Sequence, residues 1–108
     1  MVNSSTSTPV PPVLKRELLM SALSNPGRLA MLAALCDGEP LGSQDLAQVG
    51  KCTPSAASKH GWILVNAGIC LQGRGRLFRI VPGFQTQPGK HELDFGHCLL
   101  RLDYPTGS

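Results

Sequence analysis

Five side chains that bind metals or move protons lie close together near the C-terminus: His91, Glu92, Asp94, His97 and Cys98. Imidazole, carboxylate and thiolate are all ligand types that a transition metal accepts. The segment around them alternates like a strand, and successive side chains of a strand point to opposite faces. Asp94 and Cys98 then share one face while His91 and His97 share the other. That split argues against a single ion held by the set, so no metal and no other cofactor is expected, with metal sensing kept as the minor alternative. Cys36, Cys52, Cys70 and Cys98 are widely separated and form no C-x-x-C pair. They read as small core residues or free thiols, with a metal or redox role as the alternative. His60 reads as a hydrogen-bonding helix residue.

Enzyme chemistry finds little material. Gly73-Arg74-Gly75 lacks the following helix that would make it a phosphate-binding loop. No serine or cysteine has a nearby base with an orienting acid. Between Asp45 and Glu92 there is no carboxylate at all. The chain is therefore not expected to be an enzyme. The same acid-free stretch carries Lys51, Lys59, Arg74, Arg76, Arg79 and Lys90, although the formal net charge is only +3. Such a stretch makes a local positive field suited to a polyanion. The plainer alternative is a solvated basic face without a partner.

The elements that would position these residues follow from period and punctuation. Residues 13–23 carry Leu14, Leu18 and Ala22 at helical spacing, with Leu19 and Leu23 widening the stripe. Ser24-Asn25-Pro26 is a capping side chain followed by proline, which starts a second helix. That helix would bury Leu29, Leu32, Ala33 and Cys36 and stop at Asp37-Gly38. Ser43 caps a short third helix over 44–49 that buries Leu46 and Val49 and ends at Gly50. Thr53-Pro54 repeats the cap-then-proline start for a fourth helix over 54–67, ending at Gly68. Ala57, Gly61, Leu64 and Ala67 form its inward face; Ser55, Ala56, Ser58, Lys59 and Trp62 lie on the other. Residues 69–71 and 77–81 then read as strands joined by a glycine-containing tip over 72–76. A short helix, a turn, a second helix and a basic β-hairpin is the order of a winged helix-turn-helix.

Length and composition fit one such unit. A chain of 108 residues has room for one core, and with 5% aromatic residues that core must rely on Leu, Ala, Ile and Val. The expected organisation is a disordered Ser/Thr/Pro arm over 1–12, one domain over 13–103 and a loose tail over 104–108. The arm lacks the basic start and apolar middle of a secretory signal. No apolar run approaches the roughly 20 residues of a membrane span. A cytoplasmic protein with no membrane association is expected. So small a core cannot bury both the apolar first helix and the apolar C-terminal strand, which predicts a homodimer.

From about residue 23 to residue 80 the chain resembles the ArsR family of winged-helix repressors. Leu23-Ser24-Asn25-Pro26-Gly27-Arg28-Leu29 is similar to that family's L-x-[DN]-P-x-R-L. Leu46-Ala47 follows in the short helix. Pro54-Ser55-Ala56-Ala57-Ser58-Lys59-His60 resembles S-x-[SP]-x-x-S-[RK]-H, and Ala67-Gly68-Ile69 resembles A-G-[LI]. The resemblance implies a mainly α fold with a small β-sheet (α+β) and a sequence-specific regulator, a repressor, that binds double-stranded DNA. The helix over 54–67 would then enter the major groove, with Ser55, Ala56, Ser58 and Lys59 facing bases or phosphates. Thr53 would cap it and could reach a phosphate. Arg74 and Arg76 at the wing tip, 72–76, would lie along the backbone or in the minor groove.

Three departures from the family qualify this. The third-helix segment 39–44 has no thiol, so the family's soft-metal site is absent. Gly61 stands where leucine is usual, so something bulky from elsewhere must approach it. Trp62 stands at a position usually wet and is expected to be a packing anchor under another segment. A fourth difference concerns the end of the chain: members often finish in a long dimerising helix, whereas residues 90–103 alternate as a strand. Leu93, Phe95, His97 and Leu99 would share one face, with Cys98, Leu100 and Leu102 on the other. A strand or hairpin is expected there, pairing with the wing sheet or with a second subunit. The rival reading of the whole chain is a winged-helix module for protein–protein contact, with Trp62 and Val65 as its apolar patch.

Overall fold

Caps and prolines set the helices where the sequence marks them. The computed structural model describes residues 16–96 and 98–102. The arm expected over 1–12 and the tail over 104–108 lie outside the described residues, as do Leu14 and His97. Four helices come first: α1 (Arg16–Leu23), α2 (Pro26–Leu35), α3 (Ser43–Gly50) and α4 (Pro54–Asn66). Two antiparallel hairpins follow, β1 (Cys70–Gln72) with β2 (Phe78–Ile80) and β3 (Glu92–Asp94) with β4 (Leu99–Arg101). The architecture is α+β, and no single described helix is long and apolar enough to cross a membrane.

At the start of α2 the side chain of Asn25 accepts from the backbone N–H of Arg28 at 3.0 Å, with Pro26 in the first turn. Thr53 does the same for α4, its Oγ1 accepting from the N–H of Ala56 at 3.1 Å. These bonds satisfy donors that a helix start leaves orphaned. The start of α3 differs from expectation by one residue. Gly42, not Ser43, occupies the cap position, and its N–H donates to Asp45 Oδ2 at 3.3 Å. Its end differs as well. Lys51, not Gly50, takes the left-handed conformation (φ 57°), and Gly50 lies against the flexible end of Met31, whose Cε would be 2.5 Å from a methyl there.

Leu19, Ala22, Met31, Leu32, Leu35, Cys36, Leu46, Ala57, Leu64, Ile69 and Phe78 form the centre of the core. On α1 the buried face is centred on Leu19 and Ala22, and Leu18 is 45% exposed, against the expected Leu18 stripe. Each residue advances about 100° around a helix, so a face centred one residue later turns Leu18 outward. On α2 the inward residues are Met31, Leu32, Leu35 and Cys36. Leu29 and Ala33, expected inside, are half-buried and line a groove with Pro26, Ala30, Leu100 and Leu102. Val49 is likewise only half-buried, and Ala47 takes its place beside Leu46.

The first hairpin pairs Cys70 with Ile80, Leu71 with Arg79 and Gln72 with Phe78. Leu41, between α2 and α3, adds an isolated bridge to β2: it exchanges two backbone hydrogen bonds with Phe78, at 3.0 and 2.8 Å. The second hairpin is a separate two-stranded sheet, so of the two expected pairings, with the first sheet or with a second subunit, the former is absent among the described residues. The hairpin's turn end is marked by the Phe95 N–H donating to the carbonyl of Cys98 at 2.9 Å, with Gly96 at φ 95°. Reversal there resets the alternation that a continuous strand would follow: Leu93 faces Leu100 across the hairpin, and Leu99 is exposed. Phe84 packs edge-on against Phe95, ring centroids 5.1 Å apart, and Gln85 Nε2 donates to the carbonyl of Cys36 at 2.7 Å. The Gln85 bond ties the segment before the second hairpin to the end of α2.

Candidate functional site

The fourth helix is seated by small residues on its inner face. Ala57, Gly61, Leu64 and the capping Ala67 are buried, as the sequence predicts. The bulky neighbour that Gly61 requires is Phe78 of β2. A methyl on Gly61 would lie 2.5–2.8 Å from three atoms of that ring, which is fully buried. Absence of a side chain at Gly61 thus lets the first hairpin press against the middle of α4. Gly68 (φ 85°) then turns the chain from α4 into the hairpin.

The outer face of α4 presents Ser55, Lys59, Trp62 and Asn66, all exposed. At 3.6 residues per turn these four fall on one stripe along the helix. Thr53 is exposed at its head, whereas Ala56 and Ser58 are half-buried at its margins. Asn66 was not identified from sequence, although its spacing of four from Trp62 marks it. Trp62 is 47% exposed, contrary to its expected role as an anchor beneath another segment. Val65, expected beside it in an apolar patch, packs against the core instead, and the exposed apolar neighbour is Ile63.

Arg74 and Arg76 occupy the tip of the first hairpin, both exposed. The tip closes through the N–H of Arg76 to the carbonyl of Gly73 (3.1 Å) and the N–H of Gly73 to the carbonyl of Leu77 (2.8 Å). Gly75 and Arg76 are both left-handed, at φ 71° and 61°. The α4 residues and the tip arginines form two clusters. No described hydrogen bond links them directly, and they are joined through the base of the hairpin, where Phe78 meets Gly61. Lys51 and Arg79 are exposed as well. Among the described residues none of Lys51, Lys59, Arg74, Arg76 and Arg79 is in an ion pair; the salt bridges involve Lys90, His91 and Arg101.

His60, on the other side of α4 from its outer stripe, is a hydrogen-bonded residue as expected. Its Nδ1 lies 2.8 Å from Nη1 of Arg28, a residue only 8% exposed. Burial, and then the positive charge of Arg28, lower the His60 pKa from its ordinary value. The C-terminal cluster is dispersed. His91 Nε2 meets Asp37 Oδ1 at 2.7 Å, Glu92 pairs with Lys90 and Arg101, and Asp94 accepts from the N–H of Gly96. Among the described residues no three His, Cys, Asp or Glu side chains are grouped to hold a metal. All four cysteines are free thiols. Burial pushes Cys36 up to about 11, with the charge of Asp37 adding to it, and burial pushes Cys70 up to about 12, with Cys36 adding. Neither is a ready nucleophile.

No family model, curated protein or solved structure matches this chain.

Proposed function

We propose that this chain is a winged helix-turn-helix DNA-binding regulator, a repressor, that lays the outer face of α4 in a major groove. The observation that carries the reading is the set of five exposed cations, Lys51, Lys59, Arg74, Arg76 and Arg79, that are free of ion pairs among the described residues, in a stretch without a single carboxylate. Unpaired cations are the groups that release counterions from a phosphate backbone. The order α3, turn, α4, hairpin supports it, as does the single bridge from Leu41 to Phe78, which ties the segment between α2 and α3 to the hairpin. Lys59 stands among Ser55, Ser58 and Trp62, where a lysine can donate to guanine O6 and N7. Thr53, exposed at the head of α4, suits a phosphate. Ser55, Ala56 and Ser58 offer little base discrimination, so shape readout would supply part of the specificity. The tip arginines would follow the backbone or the neighbouring minor groove. Duplex binding measured at several salt concentrations tests the reading.

A second reading is favoured by one observation. Trp62 and Ile63 are adjacent, exposed and apolar, as a protein-binding helix would have them. On that reading the chain binds a protein partner through α4, and its association is indifferent to salt.

A further inference from the structure

His60 is held by a contact that only one of its protonation states allows. Arg28 has no carboxylate partner among the described residues. Its Nε donates to the carbonyl of Ala22 at 2.8 Å, its Nη2 to the carbonyl of Ser21 at 3.2 Å, and its Nη1 to His60 at 2.8 Å. A guanidinium offers donors only, so Nδ1 of His60 must be the acceptor. The ring is therefore neutral, with its proton on Nε2. One buried guanidinium thereby joins the end of α1, the start of α2 and the middle of α4, at the residue next to Lys59.

We propose that the Arg28–His60 contact is a proton-operated catch that fixes the seating of α4, so that acid pH weakens the chain's hold on duplex DNA. The DNA part rests on the reading above; the catch itself does not. A second proton on the imidazole sets donor against donor and brings two positive groups together 2.8 Å apart. Among the described residues no carboxylate is hydrogen-bonded or ion-paired to either partner. On α1, Glu17 is exposed one turn before Ser21. On α3, Asp45 is engaged with the Gly42 N–H, and Lys51 is exposed at the end. The titratable group of β1 is the buried thiol of Cys70, and α4 itself carries Lys59, exposed. Among the described residues Arg28 alone is hydrogen-bonded to the ring.

The direction of the effect follows from the state that binds the proton more weakly. The folded chain resists protonation of His60 while the unfolded chain accepts it near the ordinary value of 6.5. Stability is thus full above that value and declines as pH falls from it toward the lower pKa of the folded state. A simple surface histidine would act oppositely on binding, because added positive charge tightens the grip on a polyanion. Loosening at acid pH therefore separates the catch from a solvated imidazole.

The test uses the full chain, a mixed-sequence duplex as probe, fixed ionic strength and a range from about pH 5 to about pH 8. Wild type is compared with His60→Asn, whose Oδ1 accepts from Arg28 and does not titrate in that range. NMR titration of the imidazole accompanies the isotherms. The catch predicts an Nε2–H tautomer with a depressed pKa. Wild-type affinity should fall as pH drops through that pKa, by at most about tenfold per unit for one proton, and His60→Asn should lack this fall. An undepressed pKa, an Nδ1–H tautomer or identical pH profiles for the two proteins would overturn it. Should His60→Asn not fold, the imidazole titration and the wild-type unfolding temperature decide: a temperature that stays level below pH 6.5 refutes the catch. If neither protein binds the duplex at any pH, the DNA reading fails, while a depressed pKa with the Nε2–H tautomer still establishes the catch.

Discussion

At the scale of single residues, the proposed function assigns the reading of sequence to Lys59, and Gly61 seats the helix that bears it. Lys59→Ala should cost about 1–3 kcal/mol on a specific site and less on random duplex. Equal losses on both would make it a phosphate contact. Gly61→Ala tests the seat of the helix. Alanine is the better helix former by about 1 kcal/mol, yet its methyl would sit 2.5 Å from the buried Phe78 ring. Overpacking of that kind costs about 1–3 kcal/mol, so thermal unfolding should occur at lower temperature than in wild type, and Phe78→Leu in the same chain should recover part of the loss. A stabilised Gly61→Ala would mean the ring is not held there. The need for a bulky partner was legible in the sequence, because glycine inside an otherwise regular helix leaves a hole. Its identity was not, since Phe78 is a long-range neighbour. The Arg28–His60 contact was illegible for the same reason: its partners are 32 positions apart.

Among the elements, those set by local chemistry were the readable ones. Asn25-Pro26 and Thr53-Pro54 start helices through bonds spanning three residues, and the inner face of α4 follows from its own period. Faces that depend on tertiary packing were misplaced, as at Leu18 and Val49, and one turn at Gly96 reversed the facing expected of Leu99 and Leu100. The first hairpin carries its own prediction. Arg74→Ala and Arg76→Ala should each weaken binding to all duplexes alike and lower the salt slope by about 1 per lost phosphate contact. Altered operator preference with an unchanged slope would instead make the arginine a reader of bases. Trp62→Ala, on the exposed stripe, should leave the unfolding temperature within the small range typical of surface changes, about 0.5 kcal/mol. A large loss of stability would show that the indole is a packing residue after all.

The whole molecule leaves apolar surface unburied at places far apart in sequence: Leu18 and Met20 on α1 and Leu99 on β4 are all exposed. A second copy that covers them would also pair two α4 helices for a palindromic site. Sedimentation at tens of micromolar (roughly where an obligate pair persists) should report a dimer, and a monomer there would count against pairing. The central claim concerns the charge on the surface rather than the number of copies. Its most direct test is the affinity of the intact chain for a random duplex across a series of salt concentrations. Five cations are free of ion pairs among the described residues, so log K should fall linearly with log salt, with a slope of about −3 to −4.5 per protomer if most of those five meet phosphates. Binding that ignores salt, or no binding to duplex at the lowest salt, would contradict the account.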